Sequence, residues 1–289
     1  MQKIKFIVDS ASDIPQEYLE KYDIDMMCFP ITLGDRAFND RDIPNHEYYD
    51  LIMSADDLPH HSQLTQFAYA DNFRKYYTQG YTDIFYISIA SKGSNTYNSS
   101  IMGRDMFYES DPDAKGKVNI RIVDSGNYSG AYGFPVVRAA MKAESGASAD
   151  EIEGMLNEWY SDTEVHFGVF SLEFVKKSGR VSTAAAFVGE MLGLRPLIMI
   201  KHGVSSTLAK VRGDKAVVPK LASIVTDRIV PQSPYVVIQG YDQEYADQLE
   251  KELTSQLGYP PEMRFQVGGV IAANSGPKMV GVSFRSAKE

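Results

Sequence analysis

Residues 84–100 read IFYISIASKGSNTYNSS. They open as a short apolar run, residues 84–89, rich in β-branched and aromatic side chains, which is the composition of a buried strand. The run breaks into small polar residues, Ser91-Lys92-Gly93-Ser94-Asn95, and from Thr96 a helical period takes over through Tyr97, Ile101, Met102 and Met106. A strand that passes through a glycine-bearing loop into a helix leaves unpaired N–H groups at the strand's C-terminal edge. Open α/β sheets hold anionic ligands there. Ser94 and Thr96 add hydroxyls, which bind a carboxylate without setting a full charge beside it. The plainer role for Ser94 or Asn95 is to cap the helix.

Two copies of IVDS, at residues 7–10 and 122–125, flank this stretch, each ending an apolar run. Strands alternating with helices read as a parallel, helix-covered sheet, so three strands deliver Asp, Ser and Gly junctions to one edge. After the first, Ser12 or Asp13 is the expected N-cap, with Pro15 in the first turn. After the second, Pro135 falls early in the expected helix. Between them, residues 25–60 read as a small β excursion, strand-like over 26–33 and helical over 45–53. The segment Pro59-His60-His61-Ser62-Gln63-Leu64-Thr65 then precedes a helix marked by Phe67, Tyr69, Phe73 and Tyr76, with Ser62 or Thr65 as its cap.

An acidic helix spans 149–159, and the domain change is expected near Ser161-Asp162. Residues 1–160 thus form an N-terminal α/β domain and residues 161–289 an α+β domain. The second half reads as a strand at 165–170, a helical turn at 172–177, an apolar helix at 183–192 and a hairpin across His202-Gly203. Helices at 214–228 and 243–257 flank a strand at 235–238. Strands are expected at 264–267, 270–273 and 279–284. This half is richer in hairpins than the first.

The 289 residues suffice for two domains, and 44% hydrophobic with 23% charged residues is a globular composition. A net charge of −9 argues against nucleic acid as the main partner. No signal peptide is read at the start, and the apolar run 191–200 is too short for a bilayer and carries Arg195. The expected location is the cytoplasm, without a membrane span. A single cysteine, Cys28, forbids an internal disulfide and any cysteine-rich metal site.

Asp9-Ser10-Ala11-Ser12-Asp13 invites a phosphoryl-transfer reading, with Asp9 as nucleophile or magnesium ligand. A cap or turn acceptor is the structural alternative. There is no phosphate-cradling GxxxxGK loop and no GxSxG nucleophile elbow. The five histidines, His46, His60, His61, His166 and His202, have no metal-ligand spacing, so no metal is expected. His61 stands apart because it adjoins Ser62 at a helix start. Lys176-Lys177-Ser178-Gly179-Arg180 is a basic patch, read either as solvated surface or as a docking site. Residues 181–194 are apolar on most faces, which suits core packing or the lining of a greasy tunnel.

Taken together, these segments resemble the DegV family of bacterial fatty-acid-binding proteins. The resemblance spans essentially the whole chain. It rests on Asp9-Ser10-Ala11-Ser12-Asp13, His61-Ser62-Gln63, Ser94-Asn95-Thr96-Tyr97-Asn98 and Val123-Asp124-Ser125. Further on it rests on Leu172-Glu173, Lys177-Ser178-Gly179-Arg180-Val181-Ser182, Arg195-Pro196 and Asn274-Ser275-Gly276-Pro277. It implies one long-chain fatty acid buried between the two domains, with no catalytic residue and no cofactor. The carboxylate would be held by Ser62, Ser94, His61, Asn274 and Ser275. Thr96, Phe170, Phe187, Met191, Leu194 and Ile198 would line or support the acyl tunnel. It further implies a separate ATP-dependent fatty acid kinase that turns the bound acid into an acyl phosphate for phospholipid synthesis. That partner would dock on Arg180, Lys210 and Arg212.

The chain departs from the family pattern at two places. His61-Ser62-Gln63-Leu64 stands where Thr-Ser-Gln-Pro is usual, and Asn274-Ser275-Gly276 where His-Thr-Gly is usual. The departures suggest a positional exchange, with His61 supplying the imidazole N–H that Asn274 lacks; the plainer reading sends His61 to solvent. Lys278 in the last turn is also unusual. Lys177-Ser178-Gly179-Arg180 likewise departs from the usual Gly-Gly-Arg.

Overall fold

The computed structural model describes residues 2–179 and 193–287. Strand β1 (Ile4–Asp9) runs into a 3-10 turn at Ser10–Ser12, helix α1 (Gln16–Lys21) and β2 (Ile24–Met27). Next come β3 (Pro30–Leu33), β4 (Arg36–Asn39), α2 (Asn45–Ser54) and the short β5 (His60–His61). Helix α3 (Gln66–Thr78), β6 (Asp83–Ser88), α4 (Thr96–Ser110), β7 (Asn119–Asp124), α5 (Gly130–Glu144) and α6 (Ala149–Asp162) follow. The remainder begins with β8 (Thr163–Val169), α7 (Glu173–Ser178), β9 (Leu194–Lys201) and β10 (Val204–Arg212). It ends with α8 (Val217–Thr226), β11 (Tyr235–Gln239), α9 (Gln243–Leu257), β12 (Met263–Gln266), α10 (Gly269–Ser275) and β13 (Met279–Arg285).

Three sheets result. The first is parallel, in the order β2-β1-β6-β7. Every residue of β6 is buried, so the strand reads as a continuous apolar run rather than an alternation. The excursion forms a small antiparallel sheet, β4-β3-β5. The third sheet is mixed, in the order β10-β9-β8-β13-β11-β12, parallel only between β11 and β12. The fold class is thus a parallel-sheet domain beside a separate mixed-sheet domain, as expected.

Strand alternation sorts the mixed sheet's two faces. Val165, Phe167 and Val169 of β8 join Ile198, Ile200 and Ile238 in a core that also takes Ile31 and Tyr49 from the excursion. Leu197 and Val237 face the other way, into a core under α8 and α9 with Leu221, Leu249 and Leu253. The β9–β10 turn, with His202 and Gly203 at φ 50° and 72°, reaches back to the first domain. A Cβ added at Gly203 would lie 3.2 Å from Lys92 Cβ, in the loop after β6.

Three expectations need correction. Residues 26–33 are two strands in two sheets, because the chain bends at Phe29, whose N–H donates to Ser10 Oγ at 3.2 Å. Neither Ser12 nor Asp13 caps α1, which starts after Pro15. Asp13 instead closes the 3-10 turn at φ 54°, its side chain engaged elsewhere. Residues 270–273 are not a strand but the middle of α10. A short apolar run is ambiguous between the two states, and here two carboxylates meet backbone N–H groups at its start. The expected helix at 183–192 lies outside the described residues.

Candidate functional site

The edge where β1, β6 and β7 end is built by aspartates accepting backbone N–H groups. Asp9 Oδ2 accepts from Ile89 N–H at 3.0 Å, and Asp124 Oδ1 from Ser91 and Gly126 N–H, each at 3.0 Å. These bonds fold the loop after β6 over the strand ends. Gly93 is required there, since a Cβ would sit 2.2 Å from the Tyr128 hydroxyl. Ser94 follows. Its Oγ accepts from Thr96 N–H at 3.3 Å and lies 2.7 Å from Thr96 Oγ1. With Thr96 as the donor, the Ser94 proton is available to a ligand. Thr96 is fully buried.

Ser94 borders a cavity between the loops at the edge of the parallel sheet and one face of the mixed sheet. Its floor is apolar: Val165, Phe167, Ile200, Ile238 and Met279. Phe29, Val270 and Ile271 form a wall, and His61, Ser94, Tyr128, Asn274 and Ser275 form the polar end. The empty space, open mouth included, is about 790 Å³. His61, Ser94 and Asn274 are half-buried while Val165, Phe167 and Ile238 are buried, so the polar end is the open one.

His61, Asn274 and Ser275 stand beside Ser94 and Tyr128 at that end. His61 sits on β5 opposite Ile31, its ring edge-on to Phe29 at 6.3 Å. Asn274 Nδ2 donates one proton to Val270 O at 2.7 Å and retains a second. Ser275 Oγ commits its proton to Ile271 O or Gly276 O. The polar side chains at this end thus include Ser94, Asn274 and His61, and no lysine or arginine borders the cavity among the described residues.

The structure brings His61, Ser94, Asn274 and Ser275 to one cavity. Ser62 is exposed and does not border it; its N–H bonds Pro30 O at 3.0 Å. Ile198 is buried in the same core as the floor. Leu194 lies at the far start of β9, opposite Arg212. Phe170 is on the opposite side of the mixed sheet, stacked on Tyr245 at 4.1 Å, because it follows Val169 and the alternation turns it away. Lys210 and Arg212 are exposed on β10, the edge strand. Phe187, Met191 and Arg180 lie outside the described residues. The floor residues of β8 and Tyr128 were absent from the sequence reading, although alternation over residues 163–169 carried the signal for the former.

Asp9 and Asp13 occupy structural places. Asp9 is fully buried, accepting from Tyr132 O–H at 2.6 Å and Tyr86 O–H at 3.0 Å as well as Ile89. Burial lifts its pKa to about 6 against those hydrogen bonds. Asp13 accepts from Ser129 O–H at 2.5 Å and Gly268 N–H at 2.7 Å, with Arg41 at 3.5 Å. Burial lifts it to about 7, with Arg41 opposing. Among the described residues no cluster of three or more His, Cys, Asp or Glu side chains is arranged to hold a metal ion. Nor is any helix among them long and apolar enough to cross a membrane.

The sequence pattern described as "Uncharacterised protein, DegV family" matches residues 3–287. A DegV domain-containing protein of Clostridium perfringens is 30% identical over 283 residues, covering 97% of this chain and 98% of that one. A protein of Thermotoga maritima named "Fatty acid-binding protein" is 30% identical over 286 residues, 96% of either chain. Among solved structures, a stearic acid-binding protein from Eubacterium ventriosum superposes with a TM-score of 0.87 at 26% identity, covering 98% of this chain and 97% of its own.

Proposed function

Because the chain belongs to the DegV family, several of whose structures are described as binding fatty acids, we propose that it is a non-enzymatic carrier of one long-chain fatty acid. The acid lies between the domains formed by residues 1–160 and 161–289, and the carrier works in the cytoplasm. One observation carries this reading: a cavity with an apolar floor on one face of the mixed sheet and a polar end at the loops of the parallel sheet's edge, with no lysine or arginine among its described lining residues. Each buried CH₂ contributes on the order of 0.8 kcal/mol, so the tail supplies most of the affinity. The carboxylate then needs orientation more than attraction, which Ser94, Asn274 and His61 give without a lysine or arginine among the described lining residues.

The expected test is direct. His61→Ala lowers retention of palmitate about tenfold, the loss of one hydrogen bond to a charged group. Asn274→Ala also lowers it about tenfold, because the amide proton not given to Val270 O is lost. Indifference to His61→Ala ends its role as the donor. The bound acid is presented to a separate kinase for phospholipid synthesis, with Arg180, Lys210 and Arg212 as the docking face. Arg180→Glu then weakens the partner reaction and leaves lipid content unchanged; lost lipid makes the residue structural instead.

The competing reading, phosphoryl transfer by Asp9 and Asp13, draws no support from their positions, since both are buried and hydrogen-bonded. Magnesium-dependent hydrolysis of a generic phosphate ester, lost in Asp9→Asn, would restore it.

A further inference from the structure

Helix α10 supplies a side of the cavity through Val270, Ile271, Asn274 and Ser275, yet it is only seven residues long. A helix this short has no independent stability, and its pose is set by what holds its ends. Its start is held by two carboxylates from distant parts of the chain. Asp13 Oδ1 accepts from Gly268 N–H at 2.7 Å and Asp40 Oδ1 from Gly269 N–H at 3.0 Å. The glycine pair admits them: a Cβ at Gly268 would lie 2.8 Å from Asp13 Oδ1, and one at Gly269 2.7 Å from Asp40 Oδ1.

Two buried carboxylates are an unfavourable way to start a helix that one Ser or Thr could cap. What they add is a fixed reference. Asp13 is anchored by Ser129 O–H at 2.5 Å and by Arg41, whose Nη2 also reaches Ser10 O at 3.4 Å. Ser129 N–H donates to Ala11 O, and two residues earlier Asn127 O accepts from Ala90 N–H. Ala90 O in turn accepts from Ser94 N–H. A continuous set of hydrogen bonds and short chain links therefore joins the start of α10 to the loop that carries Ser94.

We infer that Asp13 and Asp40 are positioning residues for the ligand's head group: their clamp on α10 sets Asn274 in register with Ser94 across the cavity mouth. This rests on the fatty-acid reading above. It assigns the conspicuous Asp9-Ser10-Ala11-Ser12-Asp13 motif a part in binding without contact with the ligand.

The test compares affinities for palmitate and for the alcohol of the same chain length, by displacement of a fluorescent fatty acid. A general loss of stability lowers both together, whereas a displaced α10 lowers only the preference for the acid. Asp13→Ala and Asp40→Ala each reduce that preference about tenfold. Asp13→Asn retains it within about threefold, because the amide oxygen still accepts the glycine N–H and asparagine tolerates a left-handed φ. Wild-type preference in folded Asp13→Ala, or equal losses in the Ala and Asn variants, overturns the inference. Where Asp13→Ala does not fold, Gly268→Ala decides: it must lower the preference, and an unchanged ratio overturns the inference equally. Wild-type protein that binds neither probe overturns the carrier reading and the clamp with it, while normal wild-type binding with unchanged variants overturns the clamp alone.

Discussion

At the scale of single residues, the acids under the cavity make an unusual contribution to stability. Asp9 and Asp13 titrate near 6 and 7 when folded, against 3.8 ordinarily, because burial outweighs their hydrogen bonds. The folded state therefore holds protons that the unfolded chain releases. The resulting stability is present below about pH 4 and is lost as pH rises to about 7, by up to about 1.4 kcal/mol per pH unit for each group. Glu164 acts in a different window: burial opposes its ionised form, but hydrogen bonds from His166 and Arg228 outweigh that and pull it well below the usual range. Urea unfolding from pH 5 to pH 7.5 should show wild-type stability falling with pH and Asp13→Asn falling less steeply; equal slopes would contradict the assignment. None of this was visible in the motif alone. The partners of Asp13 lie 28, 116 and 255 residues away, so its environment is a tertiary property.

At the scale of elements, close backbone approach decides which substitutions are tolerated. Helix α5 backs onto the 3-10 turn so tightly that a Cβ at Gly133 would lie 2.3 Å from Ser12 O. Gly133→Ala is expected to destabilise by about 1–3 kcal/mol, since the clash is with backbone. Gly154 on α6 has nothing within 4 Å and is exposed, so Gly154→Ala should stabilise by about 0.5–1 kcal/mol. Denaturant midpoints for the pair give opposite signs; equal signs would refute the packing described. The elements most legible in the sequence were those with local signals. The β6-to-α4 junction has its apolar run and glycine loop, and Thr65 caps α3 by accepting from Ala68 N–H. Helix α10 was misread as a strand because its apolar, partly β-branched run suits either state, and the deciding carboxylates come from Asp13 and Asp40.

At the scale of the whole molecule, one face of the mixed sheet meets the loops at the parallel sheet's edge over a void that neither encloses alone. The parallel sheet, the hairpin across residues 202–203 and the polar loops at one edge were legible from the order of strand and helix patterns; the expected excess of hairpins in the second half was not found, since the described residues hold one there and one at β3–β4. The apolar floor was not legible, because it depends on which face of β8 and β9 turns toward the first sheet. That choice also sends Phe170 to the far side, against Tyr245. A ligand in the void ties the two sheets together. At a concentration one hundred times its Kd, a fatty acid should raise stability by about 2.7 kcal/mol, readable as a rise in Tm that saturates with ligand.

The central claim is that the void is made for a hydrocarbon chain with an acid at its open end. Mass spectrometry of a solvent extract from protein purified out of a bacterial host tests it most directly. The account predicts close to one equivalent of long-chain fatty acid per chain. Stoichiometric absence of fatty acid, together with no uptake of added palmitate, would contradict it.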